Sequence, residues 1–284
     1  MVVLSGSSPH SLSWLTSRSS SVSTTFGRPP KESHSSKHRS RCKAGDELVA
    51  DQTRGSEPSL AGTLGQRFLS FEGTEGSGKT TQVRRLQDEL ERIGWRTLLV
   101  REPGGTELSE RVRTLLLDPA TGVVAPWAEL ALYVAARAQL VAEKIRPALA
   151  SGHLVLADRY GDSSVVYQGV ARGIPVGEVE QLNDWATSGL RPGLTVLFDL
   201  DPEVGLSRVS SRGSRDRLES EPLEFHHKVR NGYLALAARS PERVRVLDAS
   251  RPEEEVWGEL LSIVLAHLET VGSETAGSKE TTRP

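Results

Sequence analysis

"FEGTEGSGKTTQ", residues 71–82, decides the fold. The run Gly73-Thr74-Glu75-Gly76-Ser77-Gly78-Lys79-Thr80 fits the pattern G-x-x-x-x-G-K-[ST]. Its glycines let the backbone bend until its N–H groups converge on phosphate oxygens. A helix starting at the last glycine adds the positive end of its dipole. The pattern gives Lys79 the β- and γ-phosphates and gives the Thr80 hydroxyl a Mg2+ ion, so Gly73 to Thr81 are candidate contacts for ATP. It also requires a strand before and a helix after. "RFLSFEG" (67–73) is a short apolar strand, and in "KTTQVRRLQDELERIG" (79–94) Val83, Leu86, Leu90 and Ile93 recur at helical spacing before Gly94. Between Gly73 and Gly78 the loop carries Glu75 and no basic residue. Positive charge for a transferring phosphate must come mainly from elsewhere in the chain.

Working outward, "RTLLVRE" (96–102), "HLVLAD" (153–158), "LTVLFDL" (194–200) and "RVRVLDA" (243–249) read as further strands. "ELSERVRTLLLD" and the long "PWAELALYVAARAQLVAEKIRPALASG" read as helices between them. Five alternations predict an α/β protein of the P-loop NTPase fold, a five-stranded parallel sheet with helices on both faces. Ligands of such sheets bind at the carboxyl ends of the strands. A GTPase would need a guanine-reading N-K-x-D segment, which this sequence lacks.

The chain has 284 residues and a formal charge of −2. Residues 1–65 hold eight Lys/Arg and five Asp/Glu, leaving 27 basic and 32 acidic residues in the remainder. A net-acidic globular part predicts no nucleic-acid partner, and no apolar run approaches a membrane span. Cys42 is the single cysteine, which excludes an internal disulfide. The first acidic residue is Glu32, and serine fills 14 of the first 40 positions. Ser-rich, basic and acid-poor is the composition of an organelle transit peptide; the alternative is a disordered tail with no address. The late first basic residue, Arg18, and "SRCKA" (40–44) point to the chloroplast, with mitochondrial or dual targeting as the alternative. Residues 1–44 thus read as transit peptide, 45–65 as linker, 66–270 as the catalytic domain and 271–284 as a disordered tail.

Four stretches, in order and on the expected elements, carry a resemblance: "EGTEGSGKTT" (72–81), "REPGGT" (101–106), "ALYVAARAQL" (131–140) and "DRYGDSSVVYQG" (158–169). From about 67 to 268 the chain resembles thymidylate kinase, the family that phosphorylates dTMP to dTDP with ATP. The resemblance implies a nucleoside monophosphate kinase fold with a mobile lid, Mg2+ dependence and a homodimer, for which the apolar helix 127–149 is a candidate surface. It places Arg113 and Arg159 on the dTMP phosphate, Tyr133 stacked on thymine and Arg137 on its exocyclic oxygen. Ser163, Tyr167 and Gln168 fall where the family reads base and sugar, and Pro103 lies on the acceptor side. Glu75 falls near the dTMP sugar and the metal–phosphate cluster. The residues agree: arginines at this sheet edge can fork onto a phosphate, and Tyr133 and Arg137, four apart, share a helix face. The alternative for Arg113 is a solvated helix face, and for Tyr133 a core aromatic.

"SRVSSRGSRDRLE" (207–219) follows the fourth strand and the helix beginning at Pro202, and holds Arg208, Arg212, Arg215 and Arg217. A closing arginine-rich flap excludes water and stabilises charge on the transferred group; the alternative is a solvated basic helix end. Some members of the family carry a catalytic arginine in the phosphate loop, and others, mainly bacterial, carry it in this lid. With Gly76 in the loop, this chain resembles the second kind. Arg212 and Arg217 match its lid arginines, Arg208 falls on the ATP side, and Ser210 stands where an arginine is often found, with Arg215 as an extra. Lys79, Arg159, Arg212, Arg217 and Glu75 are therefore the catalytic candidates, and Thr80 and Asp158 the metal candidates. Asp216 and Glu219 are further acidic candidates, and the adjacent His226 and His227 read as structural. Two rivals remain open: a nucleotide-binding regulatory protein without turnover, and a kinase of another deoxynucleoside monophosphate.

Overall fold

The computed structural model describes residues 65–211, 213 and 215–277. The expected transit peptide, all but the last residue of the linker, Arg212, and the end of the tail lie outside them. The elements run β1 (Phe68–Gly73), α1 (Lys79–Arg92), β2 (Thr97–Arg101), α2 (Glu107–Leu117), α3 (126–150), β3 (Leu154–Asp158), α4 (161–171), α5 (Val176–Thr187), β4 (Leu194–Asp199), α6 (Pro202–Ser210), α7 (Leu223–Arg239), β5 (Val244–Asp248) and α8 (Glu253–Gly277). The sheet order is β2-β3-β1-β4-β5, with every pairing parallel. The expected five-stranded α/β architecture is present.

Side chains of β1 alternate between two buried faces, as the period of a strand requires. Leu69 and Phe71 pack with Val196 and Phe198 of β4 against Val83, Leu86 and Leu90 of α1 and Val256, Leu260 and Val264 of α8. Phe68 faces the other way, toward Val155 of β3 and Leu140, Val141 and Ile145 of α3. Burial on both faces explains the near-continuous apolar runs of these strands.

Two long helices are not uniform. α3 is α-helical over Pro126–Leu140, widens to a π-helical turn at Val141–Ile145, and resumes over Arg146–Ala150. α4 begins at Gly161–Ser164 and is π-helical over Val165–Ala171. α5 has no counterpart in the sequence reading; it starts at Val176 after Pro175, without a side-chain cap. α8 runs to Gly277 with Val271 buried, seven residues into the segment read as tail. Among the described residues, no helix is long and apolar enough to cross a membrane. The apolar face of α3 does not serve as a free surface. Leu130, Leu140, Val141, Ile145 and Leu149 are buried in the chain's own core, and Trp127 is left half exposed at its start.

Candidate active site

The register of the sheet assembles the site. Phe71, Asp158 and Arg101 are aligned neighbours on β1, β3 and β2, so the loops after these strands open at one edge. There they enclose a cavity of about 240 Å3.

One wall is the loop 73–80. Gly78 is in the left-handed region at φ 79° and starts α1 with Lys79 as its first residue. Lys79 Nζ lies 3.0 Å from Asp158 Oδ1, and the Thr80 hydroxyl donates to Asp158 Oδ2 at 2.6 Å. Burial opposes ionisation of Asp158, but Lys79, Thr80 and Arg159 hold its carboxyl below the ordinary range. Gly76 has φ 71°, and a Cβ on it would lie 2.2 Å from the carbonyl oxygen of Gly205 on α6. The helix that leads into the arginine-rich segment therefore rests with its backbone on the phosphate loop.

The opposite wall holds Pro103, Arg113, Tyr133, Arg159, Ser163, Tyr167 and Gln168, all expected from the sequence. Arg113 donates to the Pro103 carbonyl at 2.9 Å, which turns it from a solvated helix face toward the cavity. Tyr133 is both things the sequence left open, a cavity wall and a member of the apolar cluster with Leu116 and Tyr167. Arg159 has φ 73°, a strained backbone for a non-glycine residue. Its guanidinium is held by Glu75 at 3.1 Å, Ser163 at 3.4 Å and Tyr233 at 3.3 Å, and lies 5.2 Å from the Tyr167 ring centre.

Glu75 joins the two walls. The Tyr167 hydroxyl donates to its Oε1 at 2.6 Å, and His226 Nδ1 lies 3.4 Å from its Oε2. Burial works against its charge, yet His226, Arg159 and Tyr167 lower its carboxyl to about 2. His226 is thus more than a core histidine: it abuts the phosphate loop. Behind Ser163 sits Glu72, fully buried. It accepts from the Tyr160 N–H at 2.8 Å, Ser163 at 2.6 Å, Tyr233 at 2.9 Å and Ser70 at 3.0 Å. Glu72 and Tyr233 were missed in the sequence. The available signal was a carboxylate on the inward-alternating face of an apolar strand, one residue before Gly73.

Two expectations are corrected. Arg137 does not reach the cavity. It is 1% exposed, and its guanidinium donates to Glu102, Asn183, the Tyr160 carbonyl and the Ser164 hydroxyl. It braces Glu102 and Ser164, which do line the cavity. Burial pushes the Glu102 carboxyl up to about 7 against the pull of Arg137. A buried carboxylate four residues from no arginine in sequence, but beside one in space, is invisible to helix-face reasoning. Arg217 is likewise not a free lid cation. It donates to Glu129 Oε2 at 2.6 Å and to the Leu116 carbonyl at 2.7 Å, while Asp216 and Glu219 beside it face the cavity. Arg208 stays near the loop, donating to the Gly76 carbonyl at 3.3 Å. Arg215 bonds the Ser210 hydroxyl, the position where an arginine is often found in the resembling enzymes.

A phosphate loop that shares one cavity with arginines and an aromatic wall defines a class, the P-loop kinases of small phosphorylated acceptors. Comparisons with known proteins narrow it. The thymidylate kinase family profile matches residues 71–260. A thymidylate kinase of Deinococcus radiodurans is 51% identical over 197 residues, covering 69% of this chain and 95% of that one. One from Geobacillus sp. is 44% identical over 205 residues, covering 72% and 98%. The crystal structure of the thymidylate kinase from Ehrlichia chaffeensis superposes with a TM-score of 0.58 at 32% identity, covering 70% of this chain and 97% of that one. The chain belongs to the thymidylate kinase family, and is therefore an enzyme of the nucleoside monophosphate kinase type.

Proposed function

We propose that the chain transfers the γ-phosphate of ATP to dTMP, giving ADP and dTDP, with Mg2+ bound. The observation that carries this reading is the continuity of one cavity from Lys79 and Thr80 to Arg113, Tyr133, Ser163 and Gln168. Lys79 has three N–H donors and uses one on Asp158, leaving donors for phosphate oxygens. Arg159, charged despite its burial and paired with Glu75, and Arg113 bind the acceptor phosphate. Tyr133 stacks on the base, and Tyr167 packs at the deoxyribose. The acceptor is already an anion, so no side chain need act as a strong base, and positioning with charge neutralisation carries the rate.

The donor set fits a hard cation: Thr80 Oγ1 and Asp158 Oδ2 are 2.6 Å apart beside the loop. Thr80 would hold Mg2+ directly and Asp158 through water. The ion would supply neutralisation of β- and γ-phosphate charge. The remaining cation comes from the segment 207–219. We assign that role to Arg208, Arg212 and Arg215, as in the bacterial type of lid, with Arg217 anchoring it. Residues 1–44 act as a transit peptide, and the Ser-rich, acid-free start supports the chloroplast as destination. The enzyme works as a homodimer. Exposed Leu108 and Leu115 of α2, together with Trp127, support a paired surface in place of the apolar face of α3.

The test is a panel of nucleoside monophosphates assayed with ATP and Mg2+. Preferred turnover of dTMP is expected, and equal turnover of dCMP or dAMP would overturn the acceptor reading. Import of a 1–65 fusion into chloroplasts and sedimentation of the purified enzyme test the other two assignments.

A further inference from the structure

Glu129 lies on the first turn of α3, one helical turn before Tyr133, and is fully buried. Its Oε1 accepts from Gln168 Nε2 at 2.9 Å and from Arg172 Nε at 3.2 Å. Its Oε2 accepts from Arg172 Nη2 at 3.2 Å and from Arg217 Nη2 at 2.6 Å. Burial opposes its charge, but these donors hold its carboxyl below the ordinary range. An ionised carboxylate only accepts hydrogen bonds. The amide of Gln168 therefore has one permitted orientation: its NH2 toward Glu129 and its carbonyl toward the cavity, which Gln168 lines.

We propose that Glu129 is a positioning residue for base choice, because it forces the Gln168 amide to present an acceptor to the incoming base. Thymine carries an N3–H donor at its pairing edge, and cytosine carries a lone pair there. A fixed carbonyl bonds the first and repels the second. The same carboxylate also holds Arg217, so the strap that brings Asp216, Leu218 and Glu219 to the cavity is moored to the group that orients the base reader. This inference rests on the acceptor reading given above.

The experiment compares kcat/KM for dTMP and dCMP in the wild type, Glu129→Gln, Gln168→Ala and the double variant. A glutamine at 129 both donates and accepts, so Gln168 becomes free to turn over. The dTMP/dCMP ratio is expected to fall about tenfold or more in Glu129→Gln, in line with an unmatched buried polar group. Gln168→Ala should lower it similarly, and the double variant should fall no further than Gln168→Ala. An unchanged ratio in Glu129→Gln, with both substrates slowed equally, would show a purely structural role and overturn the proposal. So would an undiminished effect of Glu129→Gln in the Gln168→Ala background. A wild type without preference for dTMP would instead overturn the acceptor reading. If Glu129→Gln does not fold, the wild type still decides. The Gln168 side-chain NH2 protons should resist solvent exchange with and without dTMP, and fast exchange in both states refutes the orientation.

Discussion

The carbonyl oxygen of Gly205 occupies the space into which a side chain on Gly76 would grow, 2.2 Å from the Cβ position. The converse also holds, since a Cβ on Gly205 would lie 2.2 Å from the Glu75 carbonyl oxygen. Two glycines thus let the helix before the lid lie directly on the phosphate loop. At position 76 packing leaves no room for a basic side chain. Gly76→Ala should destabilise the fold by about 2–4 kcal/mol, combining the left-handed backbone with displacement of α6. Denaturant titration checks this, and a loss within 0.5 kcal/mol, on the order of a surface substitution, would show that α6 moves aside freely.

Lys79→Met should lower kcat by about 10²–10³ or more, because a charge-assisted clamp in a water-excluded site is worth roughly 3–4 kcal/mol. Steady-state assay with ATP and dTMP varied separately checks it. Turnover near wild type would remove Lys79 from the reaction.

Arg212 and Arg217 should separate. Arg212→Ala is expected to lower kcat with little change in KM for dTMP, the pattern of an interaction made mainly in the transition state. Arg217→Ala leaves Glu129 short of a donor at 2.6 Å. It should cost about 1–3 kcal/mol of stability and raise KM for dTMP by loosening the strap. Identical kinetic signatures for the two variants would contradict the separate roles.

Glu75 sets a pH dependence of stability. Its carboxyl is lowered from 4.5 to about 2 in the folded chain. The group's contribution is therefore complete above pH 4.5 and is lost as pH falls from there toward 2, with an upper value of about 3 kcal/mol. Wild type and Glu75→Gln should differ most at pH 6 and converge toward pH 3 in chemical unfolding. A gap constant across that range would show that Glu75 is not ionised against His226 and Arg159.

The strands, the phosphate loop and most of the acceptor wall were legible because local pattern specifies them. Gly73, Gly78 and Lys79 are fixed by spacing, and Val83, Leu86 and Leu90 by helical period. Asp158 and Arg159 are found because a strand must end where they stand. Arg137 and Arg217 were misplaced for a common reason. Each is a cation near the site in sequence, and each is captured by a buried carboxylate, Glu102 or Glu129, from a distant segment. Such pairing over 35 and 88 residues leaves no periodic trace. His226 was passed over for a similar reason. Its partner, Glu75, is 151 positions away, and adjacency to His227 suggested only opposite helix faces.

The π-helical stretch at Val165–Ala171 has a consequence for heredity. It carries Tyr167 and Gln168, and its wide turns hold more residues than an α-helix would over the same path. In-frame loss of one codon there would let the segment tighten to an ordinary helix. Each later side chain would then swing by about 100°, taking Gln168 off the cavity and away from Glu129 together. A change of length in this stretch is therefore expected to cost base selection outright, whereas an exchange at Val165 or Val166, which do not line the cavity, keeps Gln168 in its place.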